Sequence, residues 1–125
     1  MTILIVDPDP TVLTTVSQML TAEGHWPLVA KSGREALKVC EESPRKIDLL
    51  ITDINMPGMT GVELARCLAE THPNMSALFM TSESLETPQM RVLIRDGHFQ
   101  ANEVLRKPFS SKALTKALKR VPRAS

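Results

Sequence analysis

The chain has 125 residues, enough for one domain whose single core needs no metal or disulfide staple. A formal net charge of +1 gives no bulk case for nucleic-acid or membrane surfaces, and 3% aromatics without Tyr give no stacking platform for single strands. The N-terminus lacks a basic region, its first apolar run stops at Asp7, and no stretch approaches the roughly 18 apolar residues of a membrane helix. A cytoplasmic location is expected. Cys40 and Cys67 form no Cys-x-x-Cys and read as small buried apolar groups of a reducing compartment.

The run Ile3-Leu4-Ile5-Val6 reads as a strand buried on both faces, the mark of a parallel sheet, and it ends at Asp7. A helix follows from about Thr11 to Ala22, with Val12, Val16, Met19 and Leu20 on one face and Gly24 as its stop. Trp26 to Val29 reads as a second strand, and Pro27 within it predicts an edge position. Ser32 is a candidate cap for a helix to about Glu42, with Ala36, Leu37 and Cys40 inward. Leu49-Leu50-Ile51-Thr52 is a third buried strand, ending at Asp53, and Met56-Pro57-Gly58 makes a turn. Gly61 to His72 is predicted helical, with Val62, Leu64, Ala65 and Leu68 apolar and Pro73 beyond. Leu78-Phe79-Met80 is the fourth strand, ending in Thr81-Ser82. Thr87-Pro88 caps a helix to about Asp96, with Gly97 as its stop. Val104-Leu105 is a short fifth strand before Arg106-Lys107-Pro108. Ser110 or Ser111 caps a last helix bearing Ala113, Leu114, Ala117 and Leu118. Five strand–helix alternations predict an α/β fold, a doubly wound five-stranded parallel sheet with five helices. The expected organisation is one domain over residues 1–125, with 121–125 a tail or linker stub.

In such sheets ligands bind beyond the carboxyl ends of the strands, where Asp7, Asp53, Thr81 and Lys107 all fall. Neighbouring carboxylates repel, and a hard divalent cation such as Mg²⁺ resolves the conflict. Asp7, Asp53 and Asp9 are its candidate ligands. A carboxylate can also act as a nucleophile and form an acyl-phosphate, for which Lys107 and Thr81 are candidate counter-charge and donor. Each residue alone has a plainer reading: Asp9 as a helix cap, Thr81 as a strand-end hydroxyl, Lys107 as an exposed charge. His25, His72 and His98 lack ligand spacing, Met19, Met80 and Met90 read as core filler, and Lys112, Lys116, Lys119 and Arg120 stripe a solvated face.

Taken together, Ile3 to Asp7, Leu50-Ile51-Thr52-Asp53-Ile54-Asn55-Met56-Pro57-Gly58-Met59-Thr60-Gly61, Met80-Thr81-Ser82 and Arg106-Lys107-Pro108-Phe109 occur in an order that resembles the chemotaxis-type receiver domain of two-component response regulators. The resemblance covers essentially the whole chain and implies a flavodoxin-like strand order 2-1-3-4-5. It also implies that Asp53 accepts a phosphoryl group from a histidine kinase, a phosphotransfer protein or a small phosphodonor. Asp7, Asp53 and the backbone carbonyl of Asn55 would hold Mg²⁺, Thr81 would hydrogen-bond the phosphoryl group, and Lys107 would pair with Asp53 or its phosphate. A cis Lys107–Pro108 bond is likewise implied, as is switching of an output domain or downstream protein.

Three departures from the family pattern stand out. Pro8 replaces the second of two adjacent acidic residues and has no ligating side chain, which predicts weakened Mg²⁺ affinity and slower phosphorylation. Asp9 is a candidate substitute, though capping the first helix competes for it. Val104 holds the position of an aromatic switch residue and has no ring to swing. The Gly97-to-Lys107 segment is longer by about the length of His98-Phe99-Gln100, which reads as a lengthened surface loop.

Two rival functions remain open on sequence. A receiver that has lost phosphorylation with its acidic pair would serve only as a protein-interaction module. Asp7-Pro8-Asp9-Pro10-Thr11 is also similar to the Asp-x-Asp-x-Thr motif of haloacid-dehalogenase-type phosphatases, with Asp7 as nucleophile and Asp9 as general acid. Against the phosphatase, nothing acidic follows Glu103, and Asp53-Ile54-Asn55-Met56-Pro57 is left without a purpose.

Overall fold

The computed structural model describes residues 1–96 and 103–121. Its elements alternate as β1 (Thr2–Val6), α1 (Pro10–Ala22), β2 (Trp26–Ala30), α2 (Gly33–Glu42), β3 (Leu49–Asp53), α3 (Gly61–Thr71), β4 (Ser76–Thr81), α4 (Pro88–Asp96), β5 (Val104–Arg106) and α5 (Ser111–Lys119). The five strands form one sheet, every pair parallel, in the order β2-β1-β3-β4-β5. This is the expected doubly wound fold, with the chain reversing its winding direction between β1 and β3.

Alternate side chains of the central strands enter opposite layers, so no residue of β1 or β3 faces water. Ile3, Ile5, Leu49 and Ile51 pack under α1 and α5 with Leu13, Val16, Leu20 and Leu114. Leu4, Val6 and Leu50 pack the other way, against α2 and α3, with Ala36, Leu64 and Leu68. The seat of α4 on that second face is a smaller cluster of Ile54, Val62, Phe79, Met90 and Val104. Truncating a buried Leu in any of these layers costs about 2–5 kcal/mol.

Pro27 does lie on an edge strand, and in a fitting register. The Trp26 N–H donates to the Met1 carbonyl, and the Ala30 carbonyl accepts from Asp7 N–H. By alternation Pro27 and Val29 point their backbone groups outward, so proline removes one of the few free donors on that edge.

The predicted caps are present at Ser32, Thr87 and Ser110, whose side chains accept from the N–H groups of Glu35, Met90 and Ala113. Several expectations need correction. On α1, Leu13 joins Val16 and Leu20 as a fully buried residue, while Val12 and Met19 pack against the same cluster from partly buried positions. Cys67 is exposed, and only Cys40 is partly enclosed; both thiols are free. Val121, expected in the tail, is 8% exposed and packs into the core with Leu118. The expected stop at Gly97, the segment His98-Phe99-Gln100 and residues 122–125 lie outside the described residues.

Candidate functional site

Strand register assembles the site. Val6 pairs with Thr52, so the next residue on each strand, Asp7 and Asp53, emerges side by side at the switch point between β1 and β3. Thr81 pairs with Arg106, which places Lys107 one step beyond the end of β5. The Lys107 N–H donates to the Thr81 carbonyl at 2.7 Å and continues the ladder. The Lys107–Pro108 bond is cis.

From there the lysine reaches across β4 to both acids. Its Nζ lies 2.8 Å from Oδ2 of Asp7 and 3.3 Å from Oδ1 of Asp53. The other Asp7 oxygen, Oδ1, accepts the Asp9 backbone N–H at 2.8 Å. Asp7 is 1% exposed and Asp53 7%, so two carboxylates share one ammonium at the floor of a cleft. Burial pushes the Asp53 carboxyl above its ordinary value; the Lys107 charge opposes the rise and the Asp7 charge adds to it. For Lys107, burial acts to lower the pKa, but the hydrogen bond to Asp7 and the charges of Asp53 and Asp7 together outweigh it, and the net shift is upward.

Asp53 is held from behind by the start of α3. The Gly61 N–H donates to the Ile54 carbonyl at 3.0 Å, and a Cβ on Gly61 would lie 2.2 Å from the Asp53 carbonyl oxygen. The Thr52 hydroxyl donates to that same oxygen at 3.0 Å. A capping box between Thr60 and Glu63 fixes this end of the helix.

The remaining sequence candidates fall out differently. Thr81 is fully buried, and its hydroxyl accepts from Glu83 N–H at 3.1 Å and faces Met90 Sδ at 4.0 Å. Asn55 is exposed, and its amide donates to the Glu83 carboxylate at 3.2 Å across the cleft mouth. Asp9 takes the capping role: its carboxylate accepts Thr11 N–H at 2.9 Å at the start of α1. Asp9 also lines the cavity beside Lys107, and among the described residues no three His, Cys, Asp or Glu side chains converge as a metal cluster. Pro8, on the exposed turn before that cap, adds no donor.

The donor set that does converge is two carboxylates, both hard oxygen ligands, against a single ammonium. The residual negative charge fits a hard divalent cation that keeps most of its waters. Such an ion must compete with Lys107 and the Asp9 amide for Asp7. Beside the acids lies a largely apolar cavity of about 420 Å³ lined by Val12, Val16, Met19, Lys107, Pro108 and Phe109. Sequence reasoning missed this cavity, the Gly61 approach and the Thr81–Met90 contact, since each depends on packing between distant elements.

Comparison with known proteins agrees with this geometry. The chain is 34% identical over 118 residues to the sensor kinase CckA of Brucella abortus, covering 94% of this chain and 12% of that protein. It is 32% identical over 116 residues to the transcriptional regulatory protein GlrR of Escherichia coli, covering 93% of this chain and 25% of that protein. The chain thus spans only a fraction of the length of these relatives. The structure of the Vibrio cholerae chemotaxis protein CheY4 superposes with a TM-score of 0.80 at 29% identity, covering 97% of this chain and 98% of that one. No helix among the described residues is long and apolar enough to cross a membrane. Residues 3–119 match the response regulator receiver domain, and with the strand order and the acids at the switch point this chain belongs to that family.

Proposed function

We propose that the chain is a phosphoacceptor: Asp53 takes a phosphoryl group and thereby changes what the domain binds. The observation that carries this is the lysine bridge, in which Nζ of Lys107 spans Asp7 at 2.8 Å and Asp53 at 3.3 Å. An Asp53 carboxylate oxygen attacks phosphorus, the bond from phosphorus to the donor's nitrogen or oxygen breaks, and the donor leaves with that electron pair. Lys107 stays within reach to balance charge on the transferred group. Thr81, on the next strand end, turns its hydroxyl to a phosphoryl oxygen. Asp7, Asp53 and the backbone carbonyl of Asn55 are the residues that would hold Mg²⁺. When bound, the ion supplies the positive charge that one ammonium cannot provide against two carboxylates and a phosphoryl group.

Receiver domains interact with histidine kinases and output domains, and the curated relatives carry much additional chain. A histidine kinase or phosphotransfer protein is the proposed donor, with the apolar cavity beside Lys107 as a seat for part of it. The reading carries a cytoplasmic location, no nucleic-acid contact by this domain, and no catalysis beyond its own phosphorylation and dephosphorylation. The single-domain organisation over residues 1–125 is part of the same proposal.

Incubation with a small phosphodonor and Mg²⁺, read by intact mass, tests it: one phosphoryl group is expected, lost in Asp53→Asn. Label lost in Asp7→Asn with rapid turnover would instead support a phosphatase using Asp7 and Asp9. Asp9 is tied to the helix cap, which speaks against that. Pro8 and the occupied oxygens of Asp7 favour a second reading, an interaction-only receiver, whose signature is no label at any Mg²⁺ concentration.

A further inference from the structure

We infer that Met90 is the positioning residue of Thr81 and carries its movement to α4, in place of a ring on β5. This rests on Asp53 being the phosphoacceptor. Val104 is 6% exposed and wedged among Ile54, Val62, Phe79 and Met90. Its branched side chain is stiff and too short to change places with Thr81. Met90 is different: it is 1% exposed, and its sulfur lies 4.0 Å from the Thr81 hydroxyl oxygen. It is also the one fully buried residue of α4, at the centre of a seat on the sheet that Leu93 and Ile94 complete from partly buried positions. Its backbone N–H is held by the Thr87 hydroxyl at 3.2 Å, which ties it to the first turn of the helix.

In the resting chain the Thr81 hydroxyl donates to a thioether, a weak acceptor. A phosphoryl oxygen on Asp53 is charged and a much stronger acceptor. Once it is present, the hydroxyl exchanges one partner for the other and leaves the sulfur. Methionine is unbranched and soft in its torsions, so Met90 follows into the vacated space and draws α4 with it.

The test uses the full chain with ¹³C on the methionine ε-methyl groups, the Met90 line being identified by its loss in Met90→Leu. That exchange conserves core volume and costs under about 1.5 kcal/mol. On phosphorylation with a small phosphodonor and Mg²⁺, the Met90 methyl line is expected to shift and amide exchange over residues 88–96 to change several-fold. Measured per phosphorylated molecule, Met90→Leu is expected to lose at least half of that change in exchange. A phosphorylated wild-type chain whose Met90 line stays in place would overturn the relay, as would a Met90→Leu variant with the full α4 response. Failure of Asp53 to take up label is read separately by mass and would overturn the phosphoacceptor reading together with the relay.

Discussion

Replacing Lys107 by methionine removes the ammonium and keeps most of the stem that packs beside Pro108. The structure sets the size of the effect. At 2.8 and 3.3 Å, with an effective dielectric near 20, each carboxylate gains about 5–6 kcal/mol of gross attraction from the lysine. Much of that is offset by the desolvation of three charged groups. What remains is the penalty of a stranded charge, about 3–5 kcal/mol when one partner of a buried pair is removed. The Asp7 side chain is only 2% exposed, whereas the Asp53 side chain at 10% can draw on water at the cleft mouth, so the lower end of that range applies. Asp7 also keeps the Asp9 amide. About 3 kcal/mol corresponds to roughly 10 °C in melting temperature for a domain of this size. Thermal unfolding followed by circular dichroism at pH 7 should show that drop, and Asp7→Asn added to Lys107→Met should recover at least half of it. The deficit should shrink as the pH is lowered and the Asp53 carboxyl, already raised by burial, takes up its proton, which removes one of the stranded charges. Because the Lys107 pKa is raised, its own contribution is complete below the ordinary value of 10.5 and is lost as pH climbs through the folded-state value. Equal melting temperatures for wild type and Lys107→Met at pH 7 would refute the reasoning, as would a double variant no more stable than the single one.

Asp53 should behave in the opposite sense. Its folded-state pKa is raised, chiefly by burial, so its ionised form costs stability above that pKa and costs nothing well below the ordinary value of 3.8. Asp53→Asn should therefore melt higher than wild type at pH 7, with the gap closing as the pH is lowered towards 3. Gly61→Ala sets a methyl group 2.2 Å from the Asp53 carbonyl oxygen, a backbone atom that cannot yield locally. It should cost about 1–3 kcal/mol, and by shifting the nucleophile it should slow phosphorylation by about tenfold to a hundredfold, read as label per unit time. Pro8→Asp should raise Mg²⁺ affinity about tenfold, or 1.4 kcal/mol, in titration calorimetry; no change would show that the missing acid was never a ligand position.

The legible part of this molecule is the part governed by local pattern. β1 and β3 could be read because strands buried on both faces have no polar alternation to confuse with a helix, and each stops at a carboxylate that cannot continue into the core. The caps at Ser32, Thr87 and Ser110 are local hydrogen bonds within three residues, so the sequence carries them whole. Asp9 was ambiguous because two demands, a cation and a free helix N-terminus, make the same residue type suitable. The structure gives the carboxylate to the nearer one, the Thr11 amide. Met90 illustrates the opposite limit. Its apolar position on α4 was readable as core, but nothing near it in sequence tells that its sulfur ends up beside the hydroxyl of Thr81.

The placement of Lys107 shows how little freedom this arrangement has. Along a strand the side-chain period is two, so a slip of β5 by one residue against β4 would send every β5 side chain to the opposite layer. Val104 would leave the cluster of Ile54, Phe79 and Met90, and the lysine would no longer stand next to Thr81 at the cleft. The strand is only three residues long, too short to fix that register through its own ladder alone. Its anchors are Val104 and Leu105, buried in opposite layers, and the bond from Lys107 N–H to the Thr81 carbonyl. Each anchor reads out a different neighbour. The same contacts that hold the fold's last strand in place therefore also hold the ammonium between the two acids, and substitutions at Val104 that preserve packing should leave the bridge intact while those that empty the pocket should weaken it.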